Sequence, residues 1–146
     1  MKKLFLLVAG IFLFFNALAY AENIAIIVNS ASPVFEVKAS AGLNDVKEIF
    51  LGKVKYWKGA AIKPVNIKEK EVINKFLEKT CGMHLSEYQN YWVKAALETG
   101  LDAPKVLETS KEIVAFVQRE RTGVGYVPEN QAKDVDGIKI LLVINE

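Results

Sequence analysis

The stretch LNDVKEIFLGKVKYWKGAAIKPVN, residues 43–66, carries the clearest fold signals of this 146-residue chain. Its first part predicts a short helix, because apolar residues recur there at helical spacing and Gly52 is a natural helix stop. The apolar face consists of Leu43, Val46, Ile49 and Phe50. The segment AIKPVNI (61–67) then predicts a short strand, in which Pro64 favours an edge or a bulge.

The rest of the chain alternates in the same way between strand and helix patterns. Strands are predicted at 24–29, 124–128 and 137–144, and helices at 70–82, 85–100 and 110–123. The predicted helix N-caps are Asn44, Ser86 and Thr109. On the helix at 85–100, the residues expected to face inward are Tyr88, Tyr91, Trp92, Ala95 and Ala96. Strands separated by helices predict a three-layer α/β domain with about four strands flanked by helices.

The N-terminus has the pattern of a signal peptide. Met1 is followed by two lysines, then by the apolar run LFLLVAGIFLFF, and Ala19-Tyr20-Ala21 supplies the small-x-small pattern of a cleavage site. We therefore expect residues 1–21 to be removed after Ala21 and residues 22–146 to form a single domain. The expected location is the periplasm, with no membrane insertion after cleavage.

The charge balance argues against a nucleic-acid partner. The whole chain has a formal charge of +2, and the signal peptide carries two lysines and no acid. The remaining chain is therefore formally neutral and lacks the field that attracts nucleic acid or an anionic membrane.

The sequence offers no recognisable catalytic or metal-binding set. Cys81 and His84 are close enough to share a metal, but a site needs three or four ligands and the chain has one cysteine and one histidine. Cys81 is expected to be a small buried apolar filler, with a reactive or intermolecular thiol as the alternative. We predict that the protein is not an enzyme and uses no cofactor or metal.

Three lysines flank the adjacent aromatic residues Tyr56 and Trp57 of the opening stretch. They are Lys53, Lys55 and Lys58. One interpretation is structural: the aromatic and aliphatic side chains between them pack inward, while the lysine stems cover the rims and keep the ammonium groups in water. The alternative is a binding patch.

The opening stretch also resembles the L-x-x-I-F-x-G-K-x-x-x-W signature of the phosphate-binding proteins of phosphate ABC transporters. The likeness continues through FLEKTCGMHLSEYQNYW to RTGVGYVP, which is similar to that family's P-G-x-I-G-Y-V. The resemblance implies a type 2 periplasmic-binding-protein-like fold, here as a single lobe. In the family's pattern, Ile49, Phe50, Gly52, Lys53 and Trp57 form a structural corner in which the tryptophan plugs the core.

The resemblance also implies where an anion would bind. In the family, the strand matching IKPVN leads to Ser-Gly-Thr at a helix N-terminus, where N–H and hydroxyl groups bind phosphate. This chain has NIKEKEVINKF there, without Ser-Gly-Thr and with two glutamates. Asn66 and Lys68 are the polar groups left at the matching place, and Ser30 and Ser32 are the other hydroxyls near a strand end. These four are the candidate ligand-binding residues.

Two functions are consistent with the sequence. The first is an exported solute-binding-type protein that binds a small anion such as phosphate without catalysis and works with an ABC transporter permease. The alternative is a periplasmic protein-interaction module that has lost the anion site and contacts an envelope protein or a second copy of itself.

Overall fold

The computed structural model describes residues 22–32, 42–57 and 59–145. The predicted signal peptide, Lys58 and the side chain of Trp57 lie outside the described part of the chain.

The described elements alternate as the sequence predicts. The strands are β1 (Ile24–Asn29), β2 (Tyr56–Trp57), β3 (Ala60–Ala61), β4 (Lys63–Ile67), β5 (Lys105–Leu107), β6 (Gly123–Pro128) and β7 (Ile138–Ile144). The helices are α1 (Leu43–Phe50), α2 (Lys70–Cys81), α3 (Leu85–Thr99) and α4 (Ser110–Arg119), and one turn of 3-10 helix spans Glu129–Gln131.

Five strands form one mixed sheet in the order β5-β4-β6-β1-β7. β4 runs parallel to both β5 and β6, whereas β1 runs antiparallel to β6 and β7. β2 and β3 pair as a separate small hairpin. The four strands that the sequence predicts are all in the main sheet, and β5 adds a short strand beside β4.

β4 as a whole has a neighbour on each side, but Pro64 lies where one side of the strand is unpaired, so the expected edge position holds locally. The N–H of Lys63 donates to the Thr122 carbonyl just before β6, at 3.0 Å, so the next position of β4 faces the β5 side. Pairing with β5 begins only at Val65. Pro64 therefore occupies a position where no N–H is needed for the ladder.

Two neighbouring residues of β6 locate the helices on the two faces of the sheet. A Cβ placed on Gly125 would lie 2.7 Å from Cγ2 of Ile113, so Gly125 faces α4. The next residue, Tyr126, stacks on Phe76 of α2 with ring centroids 3.8 Å apart. Because successive side chains of a strand point to opposite faces, α4 covers one face and α2 the other. The three-layer α/β architecture is confirmed.

An aromatic cluster fills the core on the α2 face. Phe50, at the end of α1, meets the rings of Phe76 and Tyr126 edge-on, with centroids 4.8 and 5.7 Å away. All three side chains are fully buried, and such edge-to-face pairs add to the free energy gained by burial. Phe50, one of the residues expected to form the structural corner, therefore lies in the core, whereas the side chain of Trp57, which was expected to plug it, lies outside the described part of the chain.

The structure confirms one of the three predicted N-cap residues. Thr109 Oγ1 accepts a hydrogen bond from the Glu112 N–H, at 3.2 Å, as predicted. The N-cap of α1 is Gly42 rather than Asn44, and that of α3 is His84 rather than Ser86. At both, a carboxylate three residues later accepts the N–H of the cap residue, which fixes an earlier start.

Much of α3 faces solvent. Tyr88 and Trp92 are buried, whereas Ala96, expected inside, is exposed. None of the helices in the described ranges combines the length and apolar character that a membrane crossing requires.

Candidate functional site

The four candidate ligand-binding residues lie at opposite ends of the sheet. Ser30 and Ser32 follow the end of β1, and the β1–β6–β4 register places that end beside the start of β4. Asn66 and Lys68 lie at the other end, where β4 finishes. The structure therefore does not bring the two pairs together into one site.

Asn66 is a buried structural residue. Its Nδ2 donates to the Tyr88 hydroxyl at 3.0 Å, and its Oδ1 accepts from the Tyr126 hydroxyl at 2.8 Å. Because the side chain is 2 % exposed and its amide already has partners, its polar atoms hold β4, β6 and α3 together. Sequence reasoning predicted a ligand here, but the partners come from distant parts of the chain.

The same network secures the end of α1. The Phe50 carbonyl accepts from the Tyr88 hydroxyl and from Trp92 Nε1, both at 3.2 Å. Tyr91 donates to the Leu51 carbonyl at 2.6 Å. Carbonyls at the end of a helix lack partners within the helix, so three aromatic side chains of α3 supply them. The sequence predicted that these residues face inward but not this polar role.

Of the two candidates at the end of β4, Asn66 is buried and Lys68 is accessible. Its side chain is about two-thirds exposed and lies 3.4 Å from a Glu108 carboxylate that is equally exposed. An exposed pair of this kind is weak, so the ammonium group can exchange this partner for a ligand.

Lys68 lies one residue before Glu69, the N-cap of α2, and no described side chain caps the start of that helix. The N–H of Val72 donates to the Glu69 carbonyl at 3.2 Å, which leaves the N–H groups of Lys70 and Glu71 in the first turn open to an acceptor.

The serine pair at the other end has a different environment. Ser30 is exposed, while Ser32 is fully buried and its hydroxyl has no hydrogen-bond partner within the described structure. The neighbouring turn is held by Asn29, whose Nδ2 donates to the carbonyls of Val117 and Gln118 at 2.9 and 3.0 Å. These hydrogen bonds hold the turn after β1 against the end of α4, and the accessible hydroxyl of the turn is that of Ser30.

An apolar groove lies beside Lys68, between α3 and the end of β4. Its volume is about 490 Å³, within the range of small-molecule sites. Three exposed apolar side chains border it or continue its surface: Val93, Val106 and, one helical turn beyond Val93, Leu97. Its floor includes Ile67, Ile73, Leu85, Tyr88 and Trp92. A partner could bury this surface favourably.

Burial shifts the pKa values of two side chains, Tyr88 on the floor of this groove and Cys81 at the end of α2. It raises the pKa of Tyr88 to about 12, against smaller opposing effects of its hydrogen bonds to Asn66 and Trp92. It also raises the pKa of the Cys81 thiol to about 11, although Lys47 acts in the opposite direction. Both groups are therefore neutral at ordinary pH, and neither is activated for nucleophilic chemistry.

The described residues contain no group of three His, Cys, Asp or Glu side chains placed to hold a metal ion. No family model matches the sequence, and no curated protein matches it either.

Solved structures show what the fold is similar to. One is a protein from Clostridium perfringens described as a phosphate ABC transporter substrate-binding protein, solved with bound phosphate. It matches with a TM-score of 0.62 and 21% identity over 82% of this chain and 44% of its own. An ABC-type phosphate transport receptor from Vibrio cholerae matches with a TM-score of 0.51 and 16% identity, over 82% of this chain and 46% of its own.

A third structure, named as a possible phosphate binding protein from Planctomyces limnophilus, matches with a TM-score of 0.53 and 12% identity. It is covered over 41% of its length. The chain thus spans less than half the length of these structures. At such low identity the comparison shows the fold alone: an α/β fold like that of these structures, with a length consistent with a single lobe.

Proposed function

We propose that this chain is an exported solute-binding-type protein that binds a small oxyanion such as phosphate and performs no chemistry on it. Residues 1–21 would direct export to the periplasm, and residues 22–146 would form the binding domain. The bound anion would be delivered to, or sensed for, an ABC transporter permease.

The observation that carries this proposal is the junction of β4 and α2. Lys68 is exposed there, and the helix that follows starts without a side-chain cap. A helix start of this kind attracts anions through its free N–H groups and its partial positive charge. The likeness of the fold to three structures named for phosphate supports the choice of ligand.

Thermal unfolding with and without phosphate tests the proposal. At a phosphate concentration of a hundred times Kd, binding to the native state alone would add about 2.7 kcal/mol to the free energy of unfolding. Lys68→Ala should lose most of this gain. Lys79→Ala, which removes an exposed lysine from the last turn of α2, should keep it. If phosphate and sulfate leave the melting temperature of the wild-type protein unchanged, the proposal is wrong.

A second candidate function is favoured by the apolar groove. Val93 is 62% exposed and Leu97 is 84% exposed on adjacent turns of α3. Apolar side chains at such exposure are typical of a surface that contacts another protein. In this alternative the chain is an interaction module that docks on an envelope protein or on a second copy of itself.

Charge substitutions on that surface test the alternative. The double variant Val93→Asp and Leu97→Asp should remove reproducible cross-links to an envelope neighbour, or to a second copy, while leaving the melting temperature nearly unchanged. A control on the exposed side of α2, Asn74→Asp with Lys79→Ala, changes the net charge by the same two units and should leave the cross-links in place. Absence of any reproducible cross-link with the wild-type protein would contradict this function.

A further inference from the structure

The lysine-rich segment after α1 does not pack as the sequence predicts. Tyr56 was expected to pack inward, but it is 66% exposed. Lys53 and Lys55 are also exposed, and neither makes an ion pair with a carboxylate in the described part of the chain. The structural interpretation predicted that the lysine stems cover inward-packed aromatic rings. For Tyr56 this prediction is wrong, because its ring is exposed.

A cleft lies directly beside this segment. It has a volume of about 310 Å³ and runs between the β2–β3 hairpin and the connection from α3 to β5. Its walls are mostly apolar and include Ile49, Ile62, Pro64, Trp92, Leu101 and Pro104. Gly52 also lines it, and the indole of Trp92 packs against this glycine.

Charged groups of both signs border the cleft. Lys55 comes from the segment before β2, and Lys105 comes from the start of β5. Lys105 is exposed and, like Lys55, has no ion-pair partner among the described residues. Asp102 is the acidic residue of the lining. The cleft is thus lined by two lysines, one aspartate and two aromatic residues, Tyr56 and Trp92.

We propose that this cleft binds a small aromatic monocarboxylate. The carboxylate would receive charge-assisted hydrogen bonds from Lys55 and Lys105, and the ring would lie against the aromatic and proline surfaces of the walls. Because Asp102 offsets one of the two positive charges, a compact multiply charged anion gains little here. A volume near the lower end of the usual range for ligand sites limits the occupant to about one ring system.

This site is distinct from the anion site proposed at Lys68. The cleft is lined by Pro64 and Lys105, and Lys105 pairs with Val65 on β4. Lys68 lies three residues further along the chain, roughly 10 Å away at the rise of a strand. The two proposals therefore fail independently: phosphate binding should depend on Lys68, and aromatic carboxylate binding should depend on Lys55 and Lys105.

Titration with benzoate, followed by two-dimensional amide NMR of the full chain, tests the proposal. Benzoate should shift the indole N–H signal of Trp92 and the amide signals of Lys55 and Lys105, with a Kd of the order of 1 mM or tighter. The double variant Lys55→Ala and Lys105→Ala should weaken binding by about tenfold or more, since two charge-assisted hydrogen bonds are lost. Lys53→Ala is the matched control, because Lys53 is exposed in the same segment but does not line the cleft; it should bind like wild type.

Two further probes separate the contributions of ring and charge. Benzamide has the same ring without the negative charge and should bind at least several-fold more weakly than benzoate. Inorganic phosphate should not shift the amide signals of Lys55 and Lys105, which line this cleft but not the groove beside Lys68. The proposal is overturned if benzoate produces no shift at 10 mM, roughly ten times the expected Kd. Equal binding of benzamide, unchanged binding by the double variant, or phosphate shifting the Lys55 and Lys105 amides as strongly as benzoate would also overturn it.

Discussion

At the residue scale, Asn66 shows how a polar residue that resembles a ligand contact can be a structural one. The pattern of β4 cannot reveal this, because the two hydroxyls that bind the Asn66 amide come from positions 22 and 60 residues away. Lys68, two residues later, is accessible, as its polar position suggests. Sequence reasoning placed both side chains at the end of one strand but could not distinguish their roles.

Replacing Asn66 with alanine should therefore destabilise the protein rather than only weaken binding. The change leaves the buried Tyr126 hydroxyl without its acceptor and removes a donor from Tyr88, so we expect a loss of about 2–3 kcal/mol. Asn90→Ala, on the exposed surface of α3, should change the free energy of unfolding by less than about 0.5 kcal/mol. Urea denaturation measures both. Equal stabilities of the two variants would contradict the structural role of Asn66.

Tyr88 should make stability depend on pH in the alkaline range. Its folded-state pKa of about 12 lies above the ordinary value of 10, so the fold favours the neutral phenol. This contribution is fully present below pH 10 and is lost as pH rises towards 12. The free energy of unfolding of wild type should fall more steeply than that of Tyr88→Phe, by up to about 1.4 kcal/mol per pH unit. Parallel curves for the two proteins would show that Tyr88 is not buried as described.

Cys81 should be chemically inert in the folded protein. Its side chain is buried and its thiol pKa is raised to about 11, so little thiolate forms at pH 8. Alkylation by iodoacetamide at pH 8 should be many times slower in buffer than in denaturing urea. Equal rates would instead support the reactive thiol that the sequence leaves open.

At the element scale, the end of α1 depends on α3. Gly52 has a positive φ of 71°, and a Cβ placed there would lie 2.6 Å from Cη2 of Trp92. The sequence correctly indicated a glycine stop at this position. It could not reveal that the glycine also makes room for an indole forty residues later, because that contact exists only after α3 has packed across the end of α1.

Gly52→Ala should cost more stability than the backbone conformation alone explains. Gly100 gives the comparison, since it has nearly the same φ, 72°, and an added Cβ would meet nothing within 4 Å. Gly100→Ala should cost about 1–2 kcal/mol from the left-handed conformation. Gly52→Ala should cost about 1–3 kcal/mol more, because the indole must move. Chemical denaturation of the two variants measures the difference, and similar losses would mean that Trp92 does not pack tightly on Gly52.

At the scale of the whole molecule, the sequence predicts the architecture better than the site. Periodicity and turn residues identify every element of four residues or more in the described ranges, since these patterns are local. β5 was missed because three residues give too short a pattern, although β5 forms one border of the apolar groove. The separation of the serine pair from Lys68 follows from strand order, which single-sequence patterns do not determine.

The central claim is that an oxyanion binds where β4 meets α2. Titration with phosphate, followed by the backbone amide signals of the protein in two-dimensional NMR, tests it most directly. The account predicts saturable shifts centred on residues 68–72, and their loss in Lys68→Ala while that variant remains folded. Shifts centred on residues 30–32 instead, or no saturable shift at any amide, would contradict the claim.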